Sequence, residues 1–572
     1  MLRAAICLRR SARGFRPGPR VFSGHRSPVA RDGGDARVTL TPDNLDGVGA
    51  ESAAAGFVRT APGERRRLLI QGLTWSAIVQ VLDVIFSFAS MLVLVRIIPP
   101  GDYGRVAAVL GVLGFVNLFN ANLFYGHALQ LPEHDEPDWN LHWKCGCYIQ
   151  VAQSLFCHAL AGLCWFVRSY RPIAPLLHIA AFGVLLDWPS SFGATMLRRQ
   201  LDLRRLRIVA GTGMTVRLVT VIVLALAGFG AYAIVIGNNV VVTLPFALDL
   251  LLVRGWRPAR GWWRWPSWGS YRVQARFGLQ RTGSNLIGGS RGAFEAALLP
   301  APLGFAAMGL LNRAQALYGA TLGRFGAIVN DVVYPFLPRQ SGHRERYAAQ
   351  ATLYLQVMLL MAVPGALFIG QQGGILSRVL YGTKWAAMDP LIWPGALIGL
   401  AMAVMAPASA ILMAAGQLRA CLAIDAVASV AGIVALAAAW MTRQALPYSW
   451  ALAAGQIAAS LICVWLASRL LQRGWFRTAV LPPFAAALAG LLTVHVVPIH
   501  AMSPRPIVEL AVASFAFGLA GLLVMRVGFA GIVSRLLRDV PAGEWLRAVL
   551  LIRPERPQAP AATEAAPNAA SS

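Results

Sequence analysis

The sequence predicts an all-α polytopic membrane protein with about fourteen transmembrane helices. Hydrophobic residues make up 57% of its 572 residues and charged residues only 13%, and the mean hydropathy is +0.57. A water-soluble globular domain of that composition would be hard to keep in solution. Fourteen apolar segments of about 20 residues or more, each long enough to cross a bilayer, recur between Arg-rich loops. Composition, segment length and charge placement therefore predict the same fold class.

The first twelve segments divide into two lobes of six at the longest loop between spans, which interleaves tryptophans with arginines. That pattern is typical of a segment lying on the inner leaflet, with its rings at headgroup depth and its guanidinium groups on lipid phosphates. We therefore expect membrane lipids as partners of this loop. The predicted organisation is, in order, a disordered basic N-terminal extension (1–67), a first lobe of six helices (68–253), a cytoplasmic interfacial linker (254–276), a second lobe of six helices (277–475), two C-terminal helices (476–528) and a cytoplasmic tail (529–572).

The two lobes begin with similar sequences, which indicates an internal repeat. Two prolines precede Tyr103-Gly104 in the first lobe, and Pro300 and Pro302 precede Leu303-Gly304 in the second. Because each lobe then holds six helices in the same orientation, the repeat is a parallel one about an axis along the membrane normal. This arrangement is associated with alternating access at the interface between the lobes.

The N-terminal extension is compatible with more than one interpretation. It is Arg-rich, contains no acidic residue before Asp32 and has no apolar stretch long enough for the core of a signal peptide. Transit peptides share this composition. A disordered cytoplasmic extension, or a stretch upstream of the true start codon, accounts for it equally well, and we favour these over a transit peptide.

The number of Lys and Arg residues differs between alternate loops, and this difference determines the predicted orientation of the chain. With the N-terminus inside, the inner loops and their edges hold nineteen Lys and Arg residues and the outer loops hold eight, as expected because short cytoplasmic loops accumulate them. An even number of spans places the C-terminal tail inside as well. The formal charge of +26 is thus a matter of topology, and no nucleic-acid partner is expected. We predict a multi-pass protein of the bacterial inner membrane with both termini cytoplasmic.

The sequence shows little sign of covalent chemistry. It has no Gly-rich nucleotide loop ahead of a Lys, no two-His metal motif on a helix and no nucleophile elbow. Cys145 and Cys147 lie beside His142, but nothing supplies a second pair at zinc-site spacing. We therefore expect no catalytic residue, no cofactor and no metal, and we predict that the chain is not an enzyme.

Charged residues within the apolar segments are the main candidates for function, because each costs at least about 2.5–3.5 kcal/mol at a helix centre. At about 100° per residue, Arg281 and Glu295 fall within about 40° of each other, and Arg291 is placed to pair with Glu295 four residues later. On the next segment Arg313, Arg324 and Asp331 form one stripe. Asp83, Asp187, Arg217 and Asp425 stand singly, and interhelical ion pairing would account for each of them.

The second lobe carries more arginines than acids, which predicts a net-positive cavity, with fully paired packing as the alternative. Arginine binds phosphate oxygens through a planar fork, so such a cavity suits an anionic substrate. The candidate substrate-binding residues are Arg281, Arg291, Arg313, Arg324 and Arg217. The candidate coupling residues are Asp83, Glu295 and Asp331.

Three stretches, in this order and spacing, resemble a known family. They are Arg96-Ile97-Ile98-Pro99-Pro100-Gly101-Asp102-Tyr103-Gly104, Val333-Tyr334-Pro335-Phe336-Leu337, and Tyr381-Gly382-Thr383-Lys384-Trp385 followed by Pro390. The chain resembles, over about residues 68–475, the polysaccharide-transporter family of O-antigen and exopolysaccharide repeat-unit flippases, within the multidrug, oligosaccharidyl-lipid and polysaccharide exporter superfamily. The resemblance implies translocation of undecaprenyl-pyrophosphate-linked oligosaccharide by alternating access, with a polysaccharide polymerase and export machinery as partners. We expect the first and third stretches to shape outer loops.

Other functions of the same architecture fit less well. A flippase of the peptidoglycan precursor usually has an Arg-Asp pair in its first helix, whereas this chain reads Val81-Leu82-Asp83-Val84. A drug or metabolite antiporter would favour an acidic cavity for organic cations. A membrane polysaccharide polymerase or ligase would need an outer loop of enzymatic size, and none is found.

Overall fold

The computed structural model describes residues 85–132, 135–264, 268–319, 343–497 and 505–536, with Val79, Leu82, Gly323, Gly326, Val329 and Leu337 as single positions. This part of the chain is helical and contains no strand, which confirms an all-α polytopic fold. The helices are α1 (Ile85–Ile97), α2 (Pro100–Val116), α3 (Asn122–Gln130), α4 (Trp139–Phe166), α5 (Ala174–Arg199), α6 (Leu203–Leu226), α7 (Ala231–Val253), α8 (Trp268–Leu298), α9 (Pro300–Tyr318), α10 (Arg344–Tyr381), α11 (Asp389–Ala414), α12 (Leu418–Thr442), α13 (Ala445–Ala467), α14 (Leu481–Val496) and α15 (Pro506–Leu536).

Eleven helical spans in the described residues are long and apolar enough to cross a membrane. A twelfth is formed if the end of α8, Arg291–Leu298, is counted with α9, although the two are bent by 100° at their junction. The count of fourteen spans and the division into two lobes stay predictions. We refer below to residues 85–253 as the first half and to residues 268–470 as the second half.

Helix starts follow local sequence. Prolines occupy the first turn of α2, α5 and α9, where the missing N–H costs nothing and the fixed φ favours a helix. Asp138 caps α4 by accepting from the Leu141 N–H, and Asp202 caps α6 by accepting from the Arg205 N–H. Each cap satisfies one of the backbone donors that a helix start leaves free.

Packing between the halves centres on α2. This helix packs against both α8 and α9 of the second half, and the main apolar core continues from it through α5 and α7 to α10 and α11. A second core joins α10, α11, α12 and α13 to the C-terminal helices α14 and α15. The helix that opens the second half is thus in contact with the helix that follows α1 in the first.

Several helices depart from regular geometry. After Val116 the chain forms a 3-10 turn, Asn117–Phe119, and Asn120 is extended before α3 begins. In α7 the stretches Ile236–Val241 and Asp249–Val253 are π-helical. Helix α10 runs for 38 residues and contains Pro364. Such irregularities recur at functional positions in membrane proteins, where irregular backbone is tolerated only inside protein or beside water.

The structure adds two details to the predicted linker, 254–276. Helix α8 begins at Trp268, so the last part of the linker is helical. Trp256 and Trp262 do not point away from the protein, since both rings lie within 6.2 Å of the Trp143 ring in the first half. Trp263 is 65% exposed and is the described ring that remains free for a membrane surface.

Candidate functional site

A cavity of about 260 Å³ lies between the two halves of the molecule. It is bounded by α1, α2, α6 and α7 of the first half and by α9 of the second. Its polar lining consists of Ser87, Ser90, Tyr103, Arg217, Asn238, Asn312 and Arg313. Two of the five predicted binding arginines therefore share one cavity, and they come from opposite halves of the chain.

Arg217 enters this cavity from α6. Its Nη1 donates to Oδ1 of Asn238 over 3.1 Å, and Asn238 lies in the first π-helical stretch of α7. Its Nε has no hydrogen-bond partner and is buried. One amide thus holds the guanidinium in place while part of its donor capacity stays unused.

Arg313 enters from α9. Its Nη2 donates to Oδ1 of the neighbouring Asn312 over 2.7 Å, and its guanidinium carbon lies 4.5 Å from the centre of the Tyr103 ring. Among the described residues no carboxylate pairs with either Arg313 or Arg217. The described lining is therefore positive, and amide oxygens and an aromatic ring hold both cations.

A set of contacts that we call the latch joins the halves beside the cavity. It consists of Val95–Ile98 at the end of α1 and Val379–Trp385 at the end of α10. Arg96 Nη2 donates to the Val379 carbonyl over 2.8 Å, Lys384 Nζ donates to the Arg96 carbonyl over 2.8 Å, and Trp385 Nε1 donates to the Val95 carbonyl over 3.0 Å. The latch thus depends on main-chain oxygens, and on side chains from two stretches that carry the family resemblance.

Two glycines bring α2 and α9 into direct backbone contact next to the latch. A Cβ on Gly104 would lie 1.7 Å from the Phe305 carbonyl oxygen, and one on Gly309 would lie 1.9 Å from the Pro100 carbonyl oxygen. No other residue type fits these positions without a shift of the helices. The opening segments of the predicted repeat therefore meet each other at this crossing.

Tyr103 connects the cavity to the latch. One side of its ring faces Arg313, and its centre lies 5.5 Å from the Trp385 ring in an edge-to-face arrangement. Trp385 is fully buried. A group that draws the Arg313 guanidinium away from Tyr103 would thus act on a residue packed against the latch.

The other predicted arginines lie elsewhere or outside the described residues. Arg291 is 3.6 Å from Glu295, as the four-residue spacing predicts, and Tyr448 on α13 also donates to Glu295. Neither Arg291 nor Glu295 lines the cavity. The second half therefore places Arg291 in an ion pair and Arg313 in the cavity. Arg281 lies on α8, but its side chain is outside the described set, as are Arg324, Asp331 and Asp83.

Sequence reasoning missed the groups that hold the two arginines. Asn238, Asn312 and Tyr103 lie far apart along the chain, on α7, α9 and α2. Residue spacing within one helix therefore could not predict that they line the same cavity. The Pro and Gly pattern of the two repeats was the available signal for the crossing. In the described residues no group of three or more His, Cys, Asp and Glu side chains could hold a metal ion.

The chain is similar to known proteins in both sequence and fold. The sequence profile of a family described as polysaccharide biosynthesis protein matches residues 93–390. Succinoglycan biosynthesis transport protein ExoT of Rhizobium meliloti is 23% identical over 360 residues, covering 61% of this chain and 69% of that protein. Lipopolysaccharide biosynthesis protein WzxC of Escherichia coli is 22% identical over 358 residues, covering 61% and 70%. The lipid II flippase MurJ in an inward closed conformation has a similar fold, with a TM-score of 0.64 at 12% identity, covering 81% of this chain and all of that one.

Proposed function

We propose that this chain, which belongs to the polysaccharide biosynthesis protein family, moves undecaprenyl-pyrophosphate-linked oligosaccharide repeat units across the bacterial inner membrane for exopolysaccharide or O-antigen synthesis. Two relatives are named as a succinoglycan biosynthesis transport protein and a lipopolysaccharide biosynthesis protein. The fold resembles that of a lipid II flippase. Transport of a lipid-linked sugar is the activity that would account for these findings together.

The observation that carries the proposal is the cavity with Arg217 and Arg313 on opposite walls. A pyrophosphate between them would receive charge-assisted hydrogen bonds from both halves, and such bonds are about twice as strong as neutral ones. The described lining offers no competing carboxylate. An anion moving outward also travels down the inside-negative potential, worth about 2.3 kcal/mol per charge per 100 mV.

The latch supports alternating access. In the predicted topology the ends of α1 and α10 face outward, so the latch and the glycine crossing close the outer side of the cavity. The cavity, at about 260 Å³, lies below the range of about 300–1,000 Å³ of pockets for drug-sized ligands. An oligosaccharide unit therefore requires the halves to separate, and we assign the latch as the contact that opens.

The alternative functions receive less support. A multidrug or metabolite antiporter would present acids to organic cations, whereas the described lining presents two arginines. A polymerase or ligase would need catalytic side chains, and the relatives above are named for transport or biosynthesis without a catalytic activity. We further propose a polysaccharide polymerase and export machinery as partners.

The predicted topology has a direct test. Single cysteines at Arg260, His343 and Thr383 would be probed in intact spheroplasts with a membrane-impermeant maleimide. We expect labelling at Thr383 and protection at the other two positions, which are cytoplasmic in this topology. Labelling at Arg260 or His343 would reverse the orientation and place the latch on the inner side.

The function itself is tested in a deletion strain. We expect lipid-linked repeat units to accumulate in the inner leaflet and the surface polymer to disappear, with both effects reversed by the wild-type gene. Loss of polymer without accumulation of the lipid-linked unit would place the chain at another step, such as synthesis of the unit. Unchanged polymer would rule out the proposed function in that organism.

A further inference from the structure

Asp187 on α5 is half-buried in the first half and does not line the arginine cavity. Asn120 Nδ2 and Gln150 Nε2 donate to the same carboxyl oxygen, Oδ2, over 3.3 Å and 3.0 Å. The Ser191 side chain, one turn further along α5, lies close to the same carboxyl. Among the described residues no Arg, Lys or His pairs with Asp187. The interhelical ion pair that the sequence allowed is thus replaced by neutral donors.

Buried polar atoms around this carboxyl have no partner of their own. Gln150 is fully buried and its Oε1 accepts no hydrogen bond, and Tyr125 is 1% exposed and its hydroxyl makes none. The Tyr125 hydroxyl lies against α4 at Gly146, one turn before Gln150. A buried polar group without a partner is costly, and this cluster brings two of them close to one carboxyl.

The backbone at the cluster is irregular. Asn120 is the extended residue at which the helical path of α2 stops before α3 begins. Broken helices within a membrane are tolerated where they line a cavity or bind an ion, and in transporters they mark sites for coupling ions. Asn120, a hydrogen-bond partner of Asp187, thus follows directly on α2, the helix that lines the arginine cavity.

We propose that Asp187 is a reversible proton-binding site, at which the carboxylate takes up one H⁺ to form a neutral carboxyl and releases it again. An isolated carboxylate in a membrane interior is costly without a cation, and a bound proton removes that cost. Both amides donate to Oδ2, which leaves Oδ1 without an amide donor, so that oxygen can carry the proton. Sodium would instead need several oxygens turned toward it.

No described cation near the site competes with the proton. Tyr125 on α3 is a titratable group within electrostatic reach of Asp187, and Cys145 and Cys147 on α4 are within reach of Tyr125. At Gly183 and Gly193 of α5, helix α7 contributes the non-titrating residues Asn239, Phe246 and Leu250. Helix α2 contributes the Val116 carbonyl, which accepts from Gln153. The charge of an ionised Asp187 would therefore be balanced only by hydrogen-bond donors.

Protonation would bear on transport through α2. This helix carries Tyr103 and Gly104 near its start and the break that contacts Asp187 at its end. Release of the proton leaves a charge that favours water or added donors at the break, and so biases α2 toward a different position against α8 and α9. This consequence for transport rests on the proposed function, whereas proton binding does not.

Infrared difference spectroscopy tests the site on the purified full-length protein in nanodiscs. Spectra at mildly acidic and alkaline pH would be compared for wild type, Asp187→Asn and the control Asp425→Asn, which removes another half-buried membrane carboxyl. We expect a protonated-carboxyl band that disappears at alkaline pH in wild type and in the control and is absent from Asp187→Asn. If Asp187→Asn does not fold, Asp187→Glu takes its place in the experiment. This variant keeps a carboxyl group, and we expect it to shift the frequency of the band.

Other outcomes would overturn the proposal. If Asp187→Asn has the same pH difference spectrum as wild type, Asp187 does not titrate and is no proton site. A carboxyl band that is insensitive to pH but changes when sodium replaces potassium would make the site a sodium site. If the band behaves as expected while a deletion strain still exports polymer, the proton site stands and the proposed function fails.

Discussion

Arg291 on α8 and Arg313 on α9 lie on consecutive helices of the second half, yet their surroundings differ. Arg291 has Glu295 at 3.6 Å, and its Nη1 also faces the Ala428 carbonyl. Arg313 has an amide oxygen and a tyrosine ring, and in the described residues no acid balances it. Both are half-buried arginines on apolar helices. Under the proposed function, we infer that an arginine near its own carboxylate stabilises the fold, whereas one held by neutral groups keeps its charge for a ligand.

The strongest way to break this comparison is Arg313→Ala. We expect polymer export to fall by about a hundredfold or more, since two charge-assisted hydrogen bonds of about 1.5–3 kcal/mol each would be lost. Protein abundance should stay normal, because no described acid is left unpaired. Arg313→Lys should retain part of the activity, since charge survives without the fork. Normal export by Arg313→Ala, measured beside membrane levels of the protein, would remove the substrate role.

A second change leaves both arginines intact and acts on the crossing beside them. In Gly309→Ala the new Cβ would lie 1.9 Å from the Pro100 carbonyl oxygen, so α2 and α9 must move apart and the latch side should not close. We expect export to fall at least about tenfold and a cysteine at Thr383 to react faster with an external maleimide. Gly101→Ala is the matched control, since nothing lies within 4 Å of its added Cβ. Equal behaviour of the two variants would contradict the close crossing.

A third change complements Arg313→Ala and is made at the ion pair between Arg291 and Glu295. Arg291→Gln should lower stability by about 1–3 kcal/mol, because it leaves Glu295 half-buried without its cation. Thermal unfolding in detergent should show this loss, and abundance should fall while export per molecule stays near wild type. Arg291→Gln with Glu295→Gln should recover most of the stability, as expected for coupled residues. A greater loss of export per molecule than of abundance would move Arg291 into the binding group.

The smallest expected effect concerns the ring beside Arg313. Tyr103→Leu removes a cation–π contact worth about 1 kcal/mol. We therefore expect polymer export to fall by about fivefold. Tyr103→Phe keeps the ring against both Arg313 and Trp385 and should be close to wild type. If Phe and Leu variants behave alike in the export assay, the ring does not link the cavity to the latch.

Local features of this molecule could be predicted from sequence, whereas long-range ones could not. The Arg291–Glu295 pair follows from helical spacing within four residues, and the helices follow from apolar length and prolines at their starts. Arg217 and Arg313 were identified as candidates because they are charges in apolar segments. Their meeting in one cavity depends on how α6 and α9 are placed across α2, and no local pattern encodes that placement. For the same reason the Asn120 and Gln150 partners of Asp187 were not foreseen.

The length of α10 has a mechanical consequence. Its 38 residues extend for about 57 Å at about 1.5 Å per residue, nearly twice the hydrocarbon thickness of about 30 Å. One end supplies the Val379 and Leu380 carbonyls that Arg96 grips, and the other reaches Arg344 on the far side. Pro364, near the midpoint, lacks the N–H that would stiffen the rod. A bend at Pro364 would therefore move the Val379 end of α10 relative to its Arg344 end, so that a displacement at one end of the helix is transmitted to the other.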